Sequence, residues 1–241
     1  LDTATFRELE PLLREALSSE QDIEEREQGV AAYGITKAAE LLSEKCSLTC
    51  TNVPFLTQIK YSENLKDYIE SNYEEEKGDL ATAMMRRGLK MCNRGGVLTV
   101  VSPQNWWFLK RYEEFRKRII NKEEINLLVR LGEDAFRSKN TGGNLVGLNV
   151  IKRYECENNY IKVLDVSDQK DLEGKRIEVK NRNFESINQR DQIKNINSSI
   201  VFEEIEDRKP LSEYSTSWRG VSTGDSYRFV NKFWEVEEVS R

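Results

Sequence analysis

The sequence predicts an α/β chain, a doubly wound parallel sheet closed by an antiparallel hairpin, and three observations carry that expectation. Apolar runs of strand length alternate with helical patterns between Asp22 and Leu131. Glycine and proline fall at the junctions between those runs. The last two strand-like runs follow one another with no helix between them, which suits a hairpin and not a parallel pair.

From Asp22 to about Lys45, Ile23, Val30, Ile35, Ala38, Leu41 and Leu42 recur at helical spacing, and acidic residues crowd the first turns, where the helix dipole favours them. The β-prone segment Ser47 to Thr51 stops at Asn52-Val53-Pro54-Phe55, because proline cannot continue a central strand. Gly78-Asp79 opens a second helix, Leu80 to Cys92, which ends at Asn93-Arg94-Gly95-Gly96. Val97 to Val101 reads as a buried strand closed by Ser102-Pro103. A helix from Asn105 to about Ile120 leads to a third strand, Ile125 to Leu131, and the turn-rich loop Ser138 to Asn144 to a fourth, Leu145 to Ile151. Beyond Arg153, strand-like Ile161 to Val166 precedes a polar stretch, Asp168 to Arg208, read as an accessory or linking segment. Aromatic residues return at Trp218, Tyr227, Phe229, Phe233 and Trp234.

With 241 residues, 38% of them hydrophobic, the chain can build one sizeable core, or one core plus an appendage. A net charge of -5 argues against binding nucleic acid by bulk electrostatics, and the run Lys110, Arg111, Arg116, Lys117, Arg118 reads first as the solvated face of a helix. Histidine is absent, which excludes histidine-based triads and histidine-containing zinc sites, and no metal site is expected. The four cysteines, Cys46, Cys50, Cys92 and Cys156, lack CxxC spacing and read as reduced, small buried residues. No stretch reaches the roughly 18 apolar residues of a membrane span, and the start, LDTATFRELE, lacks the layout of a signal peptide, so a cytoplasmic location without membrane partners is expected.

Thr51-Asn52-Val53-Pro54-Phe55 falls at the carboxyl end of the first strand, where open α/β sheets hold their ligands. Alone it is also an ordinary strand-ending turn. It resembles motif IV of the amino-methyltransferases, usually Asn or Asp, Pro, Pro, then Tyr or Phe, with Val53 in place of the first proline. Gly78-Asp79-Leu80, Gly95-Gly96 before an apolar strand, Ser102-Pro103-Gln104-Asn105-Trp106, and Leu131-Gly132-Glu133-Asp134-Ala135-Phe136 follow in the order seen downstream of that motif. A terminal Gly220-Val221-Ser222-Thr223-Gly224-Asp225, Phe229 and Trp234-Glu235-Val236 extend the likeness. The chain thus resembles S-adenosylmethionine-dependent DNA adenine-N6 methyltransferases, in particular the methylase region of type IIG single-chain restriction-modification enzymes and of BREX-type enzymes, over roughly positions 30 to 155 and 218 to 236.

The resemblance implies a partial Rossmann-like methyltransferase core, its downstream half, over residues 1–155, with an accessory segment and the start of a linker over 156–241. It implies transfer of a methyl group to an adenine flipped out of double-stranded DNA. In the family the Asn side-chain oxygen, here Asn52, and the next backbone carbonyl, here Val53, accept the two amino hydrogens. Pro54 biases Val53 towards extended backbone, and the ring of Phe55 stacks on the base. Phe136 and Asn140 lie where the family supplies a second contact to the base, and Phe136 suits core filling equally. Asp79 and Leu80 are expected to border the cofactor's adenine, with a helix cap as the other role of Asp79. Trp106 and Trp107 belong to the core or to a surface that meets DNA or a partner domain.

The glycine-rich turn that normally holds S-adenosylmethionine precedes motif IV in this class, and no such turn is found here. The expectation is a downstream part of a longer protein, lacking an N-terminal cofactor half and a C-terminal target recognition domain and inactive alone. Its outer sheet edge would then be exposed, or covered by Leu1 to Leu17 or another chain. Competing readings are a non-catalytic interaction module that keeps the methyltransferase shape, an unrelated α/β nucleotide-binding protein, and a methyltransferase acting on RNA or protein.

Overall fold

The structure, a computed structural model, describes residues 11–12, 15, 23–136, 145–155, 158–203 and 214–216. Six strands form one mixed sheet: β1 (Cys46–Asn52), β2 (Cys92–Pro103), β3 (Glu124–Gly132), β4 (Val146–Lys152), β5 (Tyr160–Asp165) and β6 (Glu185–Asn188). Their order is β1-β2-β4-β3-β5-β6. β1 is parallel to β2 and β3 to β5, whereas β4 pairs antiparallel with both β2 and β3, and β6 with β5. The expected hairpin is therefore present, with β4 inserted between β2 and β3. This arrangement lines up the carboxyl ends of β1, β2, β3 and β5 along one edge of the sheet.

The helices are α1 (Ile23–Ser43), α2 (Glu63–Asn72), α3 (Leu80–Met91), α4 (Glu113–Lys122) and α5 (Leu172–Asn181). In α3 the buried Ala81, Met85 and Leu89 repeat every four residues, so one stripe meets Leu98 and Val100 of β2 in the main core. Gly88 completes that stripe; a Cβ there would lie 2.8 Å from Leu98 Cδ1, so the absence of a side chain lets the helix sit close. Phe115, Ile119 and Ile120 of α4 join the same core with Ile125 and Leu128 of β3. Leu1–Glu204 forms one compact unit, and Ile205–Arg241 a second, in which only residues 214–216 are described.

Three expectations need correction. The helix from Asn105 is replaced by two 3-10 turns, Gln104–Trp107 and Lys110–Tyr112, before α4 begins. Both adjacent tryptophans go into the core and bond to groups on different strands, Trp106 Nε1 to Ser102 Oγ and Trp107 Nε1 to Asn149 Oδ1, so burial overrides helical spacing. The polar stretch from Asp168 is not a bare linker. It holds α5 and β6, and it sends Ile187, Ile200 and Phe202 into the main core. Sequence polarity hid this because its buried anchors are hydrogen-bonding side chains. Gln189 donates to the carbonyls of Ile120 and Glu123 and accepts from Ile125 N–H. Of the described cysteines only Cys92 is buried; Cys46 is half-buried and Cys50 exposed, all three free, while Cys156 lies outside the described residues.

Helix α1 does not bury its apolar stripe against described residues: Val30, Ile35, Leu41 and Leu42 are exposed, as is Leu48 of β1. β1 is hydrogen-bonded to β2 and stands at the end of the sheet. Leu1 to Leu17 lies outside the described residues apart from 11, 12 and 15. Among the described residues, no helix is long and apolar enough to cross a membrane.

Candidate active site at the strand tips

The last residue of β1 is Asn52, and the ladder continues one step further, with Val53 N–H donating to the Val101 carbonyl at 3.3 Å. That bond aims the motif along β2. The Val53 side chain sinks into the core at 3% exposure, whereas Asn52 and Pro54 are exposed and Phe55 is half-buried. Valine in place of the motif's first proline is thus explained locally: its side chain packs in the main core. None of the described residues forms a hydrogen bond with the Asn52 carboxamide or donates to the Val53 carbonyl.

Phe136 meets this tip from the other side of β4. Its ring lies 6.3 Å from that of Phe55 with an interplanar angle of 60°. The turn that sends it there starts at Gly132, whose φ of 71° suits glycine and where a Cβ would lie 2.7 Å from Ser167 Cβ. Asp134, with φ of 54°, adds a second left-handed residue.

The tip of β2 between them is rigid. Asn149, fully buried, donates to the Val100 carbonyl and to Ser102 Oγ and accepts from Trp107 Nε1. Gln104 follows at 6% exposure, its N–H bonded to the Leu145 carbonyl at 2.9 Å. The sequence showed Gln104 only as part of a resemblance; a polar residue after Ser-Pro at the end of a buried strand was the available signal.

Asp79 and Leu80 also lie beside the motif, through the bridge between Thr57 and Asp79 and a bond from Leu80 N–H to the Leu56 carbonyl at 2.9 Å. Their side chains serve the fold. Asp79 caps α3, accepting from Ala81 N–H at 2.9 Å, and Leu80 packs against Ile69, Tyr73 and Ala83. Burial holds the Asp79 carboxyl above its ordinary range, against the pull of the Ala81 N–H and Arg111. Nearby, burial and the Asp79 charge push Tyr61 up to about 12, and its buried hydroxyl has no hydrogen-bond partner.

No glycine-rich strand-to-helix turn of the kind that cradles a nucleoside occurs among the described residues. Gly95 and Gly96 lie where β1 and β2 begin, Gly95 at φ 82° and Gly96 with its Cβ direction blocked by the Cys46 carbonyl at 2.9 Å. Trp106 and Trp107, 1% and 0% exposed, are core residues. Arg116 is likewise buried, so the basic run is not one solvated face. Asn140 and the terminal signature from Gly220 to Val236 lie outside the described residues. No group of Cys, Asp and Glu side chains arranged for a metal occurs among the described residues.

A mixed sheet with an antiparallel strand set between two parallel ones, carrying its polar motif at the carboxyl tips, defines the Rossmann-like methyltransferase fold. The chain belongs to the Eco57I restriction-modification methylase family, whose sequence profile matches residues 7–136. It is 25% identical over 128 residues to the adenine-specific methyltransferase BrxX of Escherichia coli O9:H4 (strain HS), covering 53% of this chain and 10% of that protein. It is 22% identical over 220 residues to the adenine-specific methyltransferase PglX of Lacticaseibacillus casei (strain Zhang), covering 84% of this chain and 18% of that one. The chain thus spans between a tenth and a fifth of these relatives' length. Among solved structures, the fold is shared with the type ISP restriction-modification enzyme LlaGI, solved with a DNA substrate mimic. There the TM-score is 0.51 at 14% identity, over 83% of this chain and 22% of that one. The DrdV–DNA complex gives a TM-score of 0.50 at 13% identity, over 65% of this chain and 18% of the other.

Proposed function

We propose that this chain carries the base-capturing part of a DNA adenine-N6 methyltransferase belonging to a restriction-modification system. The observation that carries the reading is the exposed Asn52 carboxamide at a strand tip, beside the Val53 carbonyl and the Phe55–Phe136 ring pair, with no described partner for either acceptor. The adenine amine is a poor nucleophile because its lone pair is delocalised into the ring. Two acceptors holding its hydrogens draw the nitrogen out of that conjugation and fix its direction of attack. Phe55 stacks on the extruded base and Phe136 presents an edge, offsetting part of the few kcal/mol that extrusion takes. Val53 is held in place by its buried side chain and the bond to Val101, so its carbonyl needs no rearrangement.

In this reading S-adenosylmethionine supplies an electrophilic methyl group, and its nucleoside cradle lies outside the described residues. Asp79 and Leu80 shape the wall beside the motif through backbone as well as side chain, and Asn140 joins Phe136 at the base. Residues 1–155 are the catalytic part and 156–241 the accessory part. Sequence recognition in double-stranded DNA belongs to a domain beyond this chain, the cell's cytoplasm is the compartment, and the chain by itself transfers no methyl group. The test is modified-base sequencing of DNA from cells with and without the complete gene. N6-methyladenine at one sequence context, present only with the gene, supports the reading; no gene-dependent adenine methylation contradicts it.

A further inference from the structure

Helix α5 buries a lysine that neither the reaction nor an ion pair uses. Lys175 is 4% exposed, and its Nζ donates to the Leu131 carbonyl at 2.8 Å and to the Gln169 carbonyl. Among the described residues no carboxylate bonds to it, although a lysine is seldom buried without an acidic partner. What it holds is the place where β3 breaks its ladder. The pairing steps two residues along β3, from Arg130 to Gly132, against one along β4, from Gly147 to Val146, so Leu131 is the extra residue of a bulge. Gly132 follows in the left-handed region at φ 71°, and a Cβ on it would lie 2.7 Å from Ser167 Cβ. Ser167 is fixed in turn, its N–H and Oγ both donating to Asp165 Oδ1, at 2.9 and 2.6 Å. The stretch from β5 into α5 thus grips the bulge twice, with Ser167 against Gly132 and Lys175 on Leu131.

Phe136 leaves the sheet from this bulge. A bulge bends its strand and re-aims the side chains that follow, and Asp134, also left-handed, turns the chain again. Among the described residues, the hydrogen bonds of the stretch Leu131 to Phe136 fall at its root, in the ladder beside Val146 and at Lys175. At its far end the Phe136 ring meets that of Phe55. We infer that Lys175 is a positioning residue, which sets the angle at which the turn after β3 carries Phe136 to the extruded base. The inference rests on the function proposed above. It makes α5, a helix of the accessory part, govern a ring of the catalytic part through the backbone.

The test is a double-mutant cycle in the complete polypeptide. Lys175→Met, Phe136→Ala and the two together are assayed for methyl transfer to a duplex bearing the methylated site found by sequencing. Methionine nearly keeps the side chain's length and removes the donor. Lys175→Gln, polar but one bond too short to reach Leu131 from the same backbone, takes its place if Lys175→Met does not fold. Rates are referred to the folded fraction, read by near-ultraviolet circular dichroism at the assay temperature. Displacing an edge-on aromatic contact lowers kcat about twofold to tenfold, with KM for the duplex little changed because the ring acts on a base of the duplex already bound. In the Phe136→Ala background the Lys175 change has no further effect. A kcat unchanged in the Lys175 variant that folds, or losses at the two positions that multiply, overturn the proposal and leave Lys175 an anchor of the fold alone. Asn52→Ala separates the two levels: if it stays active, or if the unmodified protein transfers no methyl group, the underlying reading falls and takes this one with it. If Asn52→Ala is inactive while the losses at Lys175 and Phe136 multiply, only the role of Lys175 is overturned.

Discussion

Phe55 and Phe136 stand edge to face across the strand tips, one following β1 and the other following β3, with ring centroids 6.3 Å apart. In the function proposed above, a planar base beside Asn52 meets the face of one ring and the edge of the other. Stacking on an aromatic side chain contributes about 1–3 kcal/mol per base, so Phe55→Ala lowers kcat/KM for methyl transfer about tenfold to a hundredfold. Phe136→Ala has the smaller effect. Steady-state assays with the complete polypeptide check this, and an unchanged kcat/KM for Phe55→Ala contradicts the stacking role.

Gly147 fixes the depth of the Trp107 indole. A Cβ there would lie 2.5 Å from both Cη2 and Cζ2 of that ring, which is fully buried and bonded to Asn149. Gly147→Ala overpacks the tip of β2 and destabilises the fold by about 1–3 kcal/mol in denaturant titration. Unchanged stability would mean that the indole has room to move.

Arg116 of α4 joins the late segment to the turns that follow β2. Its guanidinium donates to the carbonyls of Trp106, Leu109, Asn197 and Ser198 at 2.6–3.2 Å, and burial lowers its pKa to about 10. Arg116→Met leaves four carbonyls to find other partners and destabilises by about 3 kcal/mol or more. Hydrogen exchange should accelerate first over residues 196–203. Exchange unchanged there contradicts the assignment of Arg116 as the anchor.

Glu123 is 5% exposed, with Oε2 unpartnered and Arg86 3.8 Å from Oε1. Burial raises its carboxyl above the ordinary 4.5, outweighing the arginines that pull it down. The folded state therefore binds this proton more readily than the unfolded chain. The destabilisation is fully present above the folded pKa and is relieved as pH falls through it towards 4.5. Glu123→Gln should raise the melting temperature at pH 7, and its advantage should shrink as pH falls to about 4.5. A variant less stable at pH 7 reverses the sign and contradicts this account.

Much of the sheet was legible in sequence because β1 is β-prone, β2 to β4 carry apolar runs, and Pro54 and Pro103 stand at strand ends, whereas Gly95-Gly96, read as the end of a helix, lie inside β2. The motif was legible for the same reason, since a proline two residues past a strand marks its tip. The two 3-10 turns were not, because adjacent Trp106 and Trp107 satisfy a helical pattern while the core claims both. β6 and its surroundings were hidden by polarity, since Gln189 and Arg116 are buried through hydrogen bonds and not through apolar surface. Asp79 was read as bordering the cofactor's adenine or as capping its helix, and the structure shows the cap, with Ala81 N–H donating to its carboxylate.

The central claim is that Asn52 holds the amine of an extruded adenine, and methyl transfer by Asn52→Ala in the complete polypeptide tests it most directly. With isotopically labelled S-adenosylmethionine and duplex DNA, the account predicts a rate about a hundredfold to a thousandfold lower, with DNA binding retained. A variant that methylates adenine at close to the original rate contradicts it.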